Sequence, residues 1–235
     1  MTLPEALRAP GTASIERQGI RIVTASDELA RWNRRFSAED YVFGTAPNAF
    51  LASQKHRLAP GMSALSVADG EGRNSVWLAR QGLRVTAFDF SPVAAEKAKR
   101  LAAEAGVEVE HSVADIGDWD WDARRFDCVA AIFIQFAAPP ERQRIFYGMM
   151  RALAPGGLLL LQGYTPRQLE YKTGGPPHAE NMYTAELLRE SFGALDFLHL
   201  AEHEEVVNEG TGHGGMSALI DLVARRPALP NQPVN

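Results

Sequence analysis

The sequence has little cysteine, no long apolar run and no surplus of basic residues. Its single cysteine, Cys128, excludes an internal disulfide and a cysteine-based zinc site. Cys128 stands in the apolar run "FDCVAAIFI", which predicts a buried, inert thiol. No segment has the length and hydropathy of a membrane span. The net charge of −5 gives no reason to expect nucleic acid or an anionic membrane as a partner.

Several signatures of other enzyme classes are also missing. The sequence has no phosphate-binding GxxxxGK[ST], no HExxH zinc motif and no GxSxG nucleophile turn. Its N-terminus lacks the apolar core of a signal peptide, so we expect a cytoplasmic protein. With 46% hydrophobic residues, the chain of 235 residues can bury a sizeable core.

Composition and pattern divide the chain into four parts. Residues 1–25 contain Pro4, Pro10 and Gly11 and are poor in pattern, which predicts a flexible arm. Residues 26–60 contain two helical patterns and an aromatic turn, and we expect a helical cap or lid. Residues 61–226 form the predicted core, and residues 227–235 are expected to be a disordered tail.

Within the core, apolar strand segments alternate with helical segments. This order is typical of an α/β protein with a doubly wound, Rossmann-like parallel sheet that is covered on both faces. The end of the core differs, because "ALDFLHLAEHEEV" and "MSALIDLVARRP" are two strand patterns joined by a glycine-rich turn. We therefore expect an antiparallel C-terminal hairpin at the edge of the sheet.

The stretch "VADGEGRNSVWLARQG", from Val67 to Gly82, predicts a strand, a glycine loop and a helix. Its match to the dinucleotide pattern is weak, and Asp69 and Glu71 stand where a pyrophosphate would bind. Each carboxylate would oppose a nearby phosphate by roughly 1–4 kcal/mol. The loop instead suits a ligand with cationic groups, such as the sulfonium and ammonium of S-adenosylmethionine.

Acidic residues also follow the next two strands. Asp89 ends the second strand, where a carboxylate can accept hydrogen bonds from both ribose hydroxyls of a nucleotide. Such an acid serves NAD equally well, but it disfavours a 2′-phosphate. Asp115 ends the third strand, where it can accept from an adenine amino group, while the N–H of Ile116 can bind a ring nitrogen. The sequence thus predicts one adenosine-binding crevice.

These motifs resemble the class I S-adenosylmethionine-dependent methyltransferases. The strings "GEGRNS" and "VTAFD" are similar to the tellurite-resistance methyltransferase family and its uncharacterised relatives, and the resemblance runs from about Trp32 to Pro227. It implies a seven-stranded mixed sheet, with the methionine moiety held by residues 68–72. Ser66 stands where the superfamily often has Asp, and Ala68 where it often has Gly. Asp69 is therefore the candidate to supply the negative charge that is absent at position 66.

The prediction for the cofactor is S-adenosylmethionine, with S-adenosylhomocysteine as product and no metal. The predicted cofactor-binding residues are Ala68, Asp69, Gly70, Glu71, Gly72, Asn74, Asp89, Phe90, Asp115, Ile116 and Ile132.

The expected reaction is an in-line methyl transfer to a small molecule or soft anion, which needs orientation more than a catalytic base. The fourth strand ends in "IFIQF", without the polar Asn/Asp-Pro-Pro-Tyr-like clamp, and this disfavours nucleic-acid bases as acceptors. Gln135 in this segment either orients a polar substrate or caps the strand end.

Two further segments supply substrate-side candidates. Tyr41, Phe43 and Phe50 could form an aromatic lid over the sulfonium, or could pack the cap onto the sheet. The long loop after the fifth strand contains Tyr171 and His178, which either shape a polar pocket or are solvated. His213, in the last hairpin, is expected at the surface.

Two alternatives remain open at this point. The first is a NAD-dependent oxidoreductase, which the loop acids and the absence of a Tyr-x-x-x-Lys pair after the fourth strand oppose. The second is a non-catalytic protein that binds S-adenosylmethionine. The sequence identifies neither the methyl acceptor nor the oligomeric state.

Overall fold

The computed structural model describes residues 25–228. The predicted arm therefore lies outside the described residues except for its last position, and the predicted tail except for residues 227–228. The helices are α1 (Ala25–Phe36), α2 (Ala49–Ser53), α3 (Arg73–Arg80), α4 (Pro92–Glu104), α5 (Pro139–Ala152), α6 (Gln168–Tyr171) and α7 (Ala185–Ser191). The strands are β1 (Ser63–Val67), β2 (Arg84–Asp89), β3 (Val109–Val113), β4 (Phe126–Ile132), β5 (Leu153–Tyr164), β6 (Asp196–Glu209) and β7 (His213–Arg225).

The seven strands form one sheet in the order β3-β2-β1-β4-β5-β7-β6. Strands β1 to β5 are mutually parallel, whereas β7 runs antiparallel to both β5 and β6. The predicted seven-stranded, mostly parallel sheet with an antiparallel hairpin is confirmed. The strand order reverses between β1 and β4, and ligands of such sheets bind at the carboxyl ends of the strands beside this reversal.

Both faces of the sheet are buried, which explains the nearly continuous apolar runs of its central strands. In β5, Leu159 and Leu161 pack on the face covered by α5, whereas Leu160 packs with Cys128 on the opposite face. Cys128 is buried, as predicted, and burial raises the pKa of its thiol to about 12. Within residues 25–228, no helix combines the length and apolar character that crossing a membrane requires.

The turn between β6 and β7 packs against the segment that joins α1 to α2. Gly210 has a φ of 64°, and a Cβ at this position would lie 2.4 Å from the carbonyl oxygen of Val42. Gly212 donates its N–H to the same carbonyl oxygen at 2.9 Å. The glycines of this turn thus allow the hairpin and the cap to meet backbone to backbone.

A buried ion pair attaches the cap to the core. Glu71 Oε1 lies 2.5 Å from Lys97 Nζ, and both side chains are at most 5% exposed. Glu71 Oε2 accepts a hydrogen bond from the N–H of Val42 at 2.8 Å. Lys97 Nζ also donates to the carbonyl oxygens of Ala38 and Asp40 at 2.9 and 2.7 Å. We call Glu71, Lys97 and these cap backbone groups the clasp.

We predict that Glu71→Gln destabilises the fold strongly, since removing one member of a buried ion pair leaves the other charge uncompensated. The expected loss in the free energy of unfolding, measured by urea denaturation, is about 3–5 kcal/mol. The double variant Glu71→Gln/Lys97→Met should lose less than the sum of its single variants.

The exposed pair Glu96–Lys99 on α4 supplies the control, and Lys99→Met should leave the unfolding free energy unchanged. Additive losses in the double variant, or a Glu71→Gln variant as stable as the control, would contradict the role given to the clasp.

Candidate functional site

The loop that joins β1 to α3 is shaped by residues with a left-handed backbone. Ala68, Gly70 and Gly72 all have positive φ, at 48°, 61° and 93°. A Cβ at Gly72 would lie 2.7 Å from the Cβ of Ala98 on α4, so glycine is required there. Ala68 occupies a left-handed position that glycine adopts without strain, which is the physical reason for glycine in the family pattern.

Asp69 is turned into the protein, where it holds the start of α3. Its Oδ1 accepts from the hydroxyl of Ser66 at 2.6 Å and from the N–H of Ser75 at 3.2 Å. Its Oδ2 accepts from the hydroxyl of Ser75 at 2.5 Å. Burial raises the pKa of this carboxyl above its usual range. Asp69 therefore already binds a helix N–H that could otherwise bind a phosphate.

These contacts correct the physical reason for the acids in the loop. Asp69 is bound by Ser66 and Ser75, and Glu71 is bound by Lys97 and the cap backbone. Both carboxylates thus have protein partners, and neither is presented to a cationic ligand. The loop acids organise the local backbone, and ligand binding by this loop stays a prediction that depends on its shape.

Asp89 is the acid that lies at the carboxyl edge of the sheet beside this loop. Its Oδ2 accepts from the N–H of Gly70 and its Oδ1 from the N–H of Ser91, both at 2.9 Å. Burial raises its pKa to about 6. Each carboxylate oxygen has a second lone pair, so both can also accept from a ribose hydroxyl.

The predicted adenine-binding residues follow β3. Asp115 is exposed, and its Oδ1 accepts from the N–H of Gly117 at 2.8 Å. Ile116 is buried, while Phe90 after β2 and Ile132 at the end of β4 are partly exposed. These residues follow strands whose carboxyl ends share one edge of the sheet, as the sequence predicted.

Asn74 and its neighbour Arg73 connect the loop to a buried polar chain. Asn74 Oδ1 accepts from the N–H of Asn48 at 3.0 Å, which links α3 to the cap. Arg73 Nη2 lies 2.6 Å from Glu209 Oε2, and Glu209 Oε1 accepts from Asn48 Nδ2 at 2.9 Å. Asn48 Nδ2 also donates to Gln162 Oε1 on β5 at 2.7 Å. This series of polar contacts joins α3, the cap, β5 and β6.

A second cluster lies at the ends of β4 and β5 and the start of β7. Tyr164 Oη is 2.5 Å from His213 Nδ1. The imidazole of His213 packs between two rings, with centroids 4.6 Å from Phe43 and 4.4 Å from Phe133. His213 is therefore not the surface histidine that the sequence predicted. Phe133 has a φ of 57°, which follows from its place in the turn after β4.

Charge and burial keep this cluster neutral. Burial, together with the nearby guanidinium groups of Arg73 and Arg35, lowers the pKa of His213 to about 3. Burial raises the pKa of the Tyr164 hydroxyl far above its usual value. The Tyr164–His213 pair thus carries no charge near neutral pH.

Gln135 positions Tyr164 through the backbone. Its Nε2 donates to the carbonyl oxygen of Tyr164 at 2.8 Å, and its Oε1 accepts from the Tyr164 N–H at 2.5 Å. Gln135 is 4% exposed. Of its two predicted roles, this placement favours capping over substrate contact.

The aromatic residues of the cap occupy three different environments. The ring of Tyr41 packs on Lys97, whose Nζ is 4.9 Å from the ring centroid, and its hydroxyl donates to the Lys97 carbonyl at 3.3 Å. Phe50 is buried in the core with α3, whereas Phe43 contacts His213. Phe43, rather than Tyr41, is thus the cap aromatic beside the second cluster.

The other two substrate-side candidates lie on the loop after β5. Tyr171 Oη donates to Glu204 on β6 at 2.5 Å. The side chain of His178 is 64% exposed and lies 3.9 Å from Glu180. These contacts attach the loop to β6 and leave His178 in solvent, so they do not support a shared polar pocket. Among residues 25–228, no group of three or more His, Cys, Asp and Glu side chains could hold a metal ion.

Comparison with known proteins gives a consistent result. The family described as "Methyltransferase domain" matches residues 64–157. The ubiquinone biosynthesis O-methyltransferase of Xanthomonas axonopodis is 34% identical over 107 residues, covering 45% of this chain and 44% of that protein. Across the curated relatives that it matches, this chain aligns with less than half of their length.

Two solved structures share the fold. One comes from work on the conversion of a disulfide bond into a thioacetal group during echinomycin biosynthesis, with a TM-score of 0.68, 22% identity and coverage of 88% of this chain and 92% of that chain. The other is the N-methyltransferase NodS of Bradyrhizobium japonicum with S-adenosylhomocysteine, with a TM-score of 0.64, 15% identity and coverage of 85% and 98%. The chain therefore shares the fold of these two structures, and its residues 64–157 match the methyltransferase-domain family.

Proposed function

We propose that this protein transfers the methyl group of S-adenosylmethionine to a small acceptor molecule. The observation that carries the proposal is the buried carboxylate of Asp89, fixed by the N–H of Gly70 at the edge of the sheet within the matched methyltransferase domain. It presents hydrogen-bond acceptors for a ribose beside a loop shaped for close backbone contact.

The residues at this edge of the sheet fit S-adenosylmethionine. Asp89 uses one lone pair of each oxygen for the backbone and keeps the others for two hydroxyl donors. Gly70 has no side chain, and a Cβ there would point at the Phe36 ring, whose Cζ would be 3.9 Å away. Glycine thus keeps side-chain atoms out of the space between the loop and the cap.

Each part of the crevice has a distinct task. The backbone of residues 68–72 holds the amino-acid end, Asp89 binds the ribose, and Asp115 with the N–H of Ile116 binds the adenine. The cap, held by the clasp, covers the loop and excludes water.

The chemistry needs little more than orientation. When bound, S-adenosylmethionine supplies a methyl carbon activated by its sulfonium. The acceptor attacks this carbon in line, and the electron pair of the broken C–S bond stays on sulfur. Positioning alone can contribute up to about 7–11 kcal/mol to such a step. The similarity to an O-methyltransferase supports an oxygen nucleophile.

Among residues 25–228, no contact favours the NAD alternative. A pyrophosphate would need the free N–H groups at the start of α3, but the N–H of Ser75 is bonded to Asp69.

We predict that the affinity for S-adenosylhomocysteine depends on pH through Asp89. The ribose hydroxyls donate to the ionised carboxylate, whose pKa is raised to about 6 by burial. Affinity should therefore be constant above pH 7 and fall up to tenfold per unit as the pH drops below 6. In Asp89→Asn, affinity should be about 10- to 100-fold weaker and independent of pH. Titration calorimetry from pH 5 to 8 measures both effects.

Asp127→Asn is the matched control, because Asp127 lies near the opposite end of the sheet and binds Ser63. It should leave the affinity unchanged. An Asp89→Asn variant that binds like the wild type removes Asp89 from the site. Failure of the wild-type protein to bind S-adenosylhomocysteine at any pH contradicts the proposed function itself.

A further inference from the structure

Arg73 has a buried donor without a partner. The residue is 7% exposed, and its Nη2 pairs with Glu209 Oε2 at 2.6 Å. Within residues 25–228, its Nη1 is completely buried and makes no hydrogen bond. An unsatisfied N–H of a charged group is costly inside a protein, so this atom indicates a missing acceptor.

The groups around Arg73 belong to the half of the sheet opposite to the predicted adenosine crevice. Glu209 ends β6, Tyr164 ends β5 and His213 starts β7. The charge of Arg73 acts to lower the pKa of both Tyr164 and His213. The adenosine-binding acids, by contrast, follow β2 and β3.

The local charge favours an anion. A second guanidinium, that of Arg35, lies 5.0 Å from the Phe43 ring centroid and also lowers the pKa of His213. Glu209 offsets one of the two positive charges, and Tyr164 and His213 are neutral. Arg35 is exposed to solvent, so the buried, unpartnered Nη1 of Arg73 is the donor that an anionic oxygen would satisfy.

We infer that Arg73 Nη1 binds an anionic oxygen of the methyl acceptor, and that the acceptor is a carboxylic acid or phenolate. This inference rests on the proposed function and names the substrate class of the same site. Arg73 directly follows the loop of residues 68–72, so an anion bound to it lies next to the reacting end of the crevice. The Tyr164–His213 pair forms the neutral wall of this acceptor site.

The test compares two ligands that differ in one charged group, 3,4-dihydroxybenzoate and 3,4-dihydroxybenzamide. Binding to the protein saturated with S-adenosylhomocysteine is measured by saturation-transfer NMR. The wild-type protein should bind the acid at least fivefold more tightly than the amide. The variant Arg73→Gln/Glu209→Gln, which leaves no unpaired charge, should lose this preference and keep its affinity for S-adenosylhomocysteine within twofold.

The control is Arg80→Gln, an exposed arginine at the end of the same helix, which should keep the preference. Equal binding of acid and amide, or binding of neither, by a protein that binds S-adenosylhomocysteine overturns this inference alone. If the double variant loses affinity for S-adenosylhomocysteine as strongly as for the acid, Arg73 binds the carboxylate of the cofactor, and the inference is overturned. A wild-type protein without affinity for S-adenosylhomocysteine refutes the proposed function instead.

Discussion

The buried ion pair between Glu71 and Lys97 is the interaction on which the candidate site depends. It joins the glycine loop to α4, and both partners also bind the backbone of the cap. Two charges are costly to bury, and only the additional hydrogen bonds make such a pair tolerable. As a result, the shape of the loop and the position of the cap form one cooperative unit, and the hairpin turn at Gly210 packs onto that unit.

The other acids of the site are also bound by groups of the protein. Asp69 binds the first turn of α3 and two serines, so its charge is used within the protein. Asp89 is fixed by two backbone N–H groups, and each of its oxygens keeps a second lone pair. We propose that such a site selects its ligand by backbone shape and by one carboxylate. It disfavours a pyrophosphate because the N–H of Ser75 is already bound by Asp69, rather than because two free charges repel the phosphates.

The fold could be predicted because its signals are local. Alternating apolar strands and helices, and the glycine-rich turn before β7, each lie within a short stretch of sequence. The position of Asp89 also follows from a local rule, since it ends the strand after the glycine loop. The long-range partners were not predictable. Nothing near Glu71 in the sequence points to Lys97, and nothing near His213 points to Tyr164 or Phe43. The sequence motif therefore predicts that Asp69 and Glu71 contact a ligand, although in the fold both side chains are bound by other residues of the protein.

A thermal-shift measurement with S-adenosylhomocysteine and with NAD tests directly whether the crevice binds an adenosyl thioether rather than a dinucleotide. A ligand present at about 100 times its dissociation constant stabilises the folded state by about 2.7 kcal/mol, which is an easily measured shift. We expect stabilisation by S-adenosylhomocysteine and none by NAD. Stabilisation by NAD alone would contradict both the methyltransferase function and the role given to Asp69.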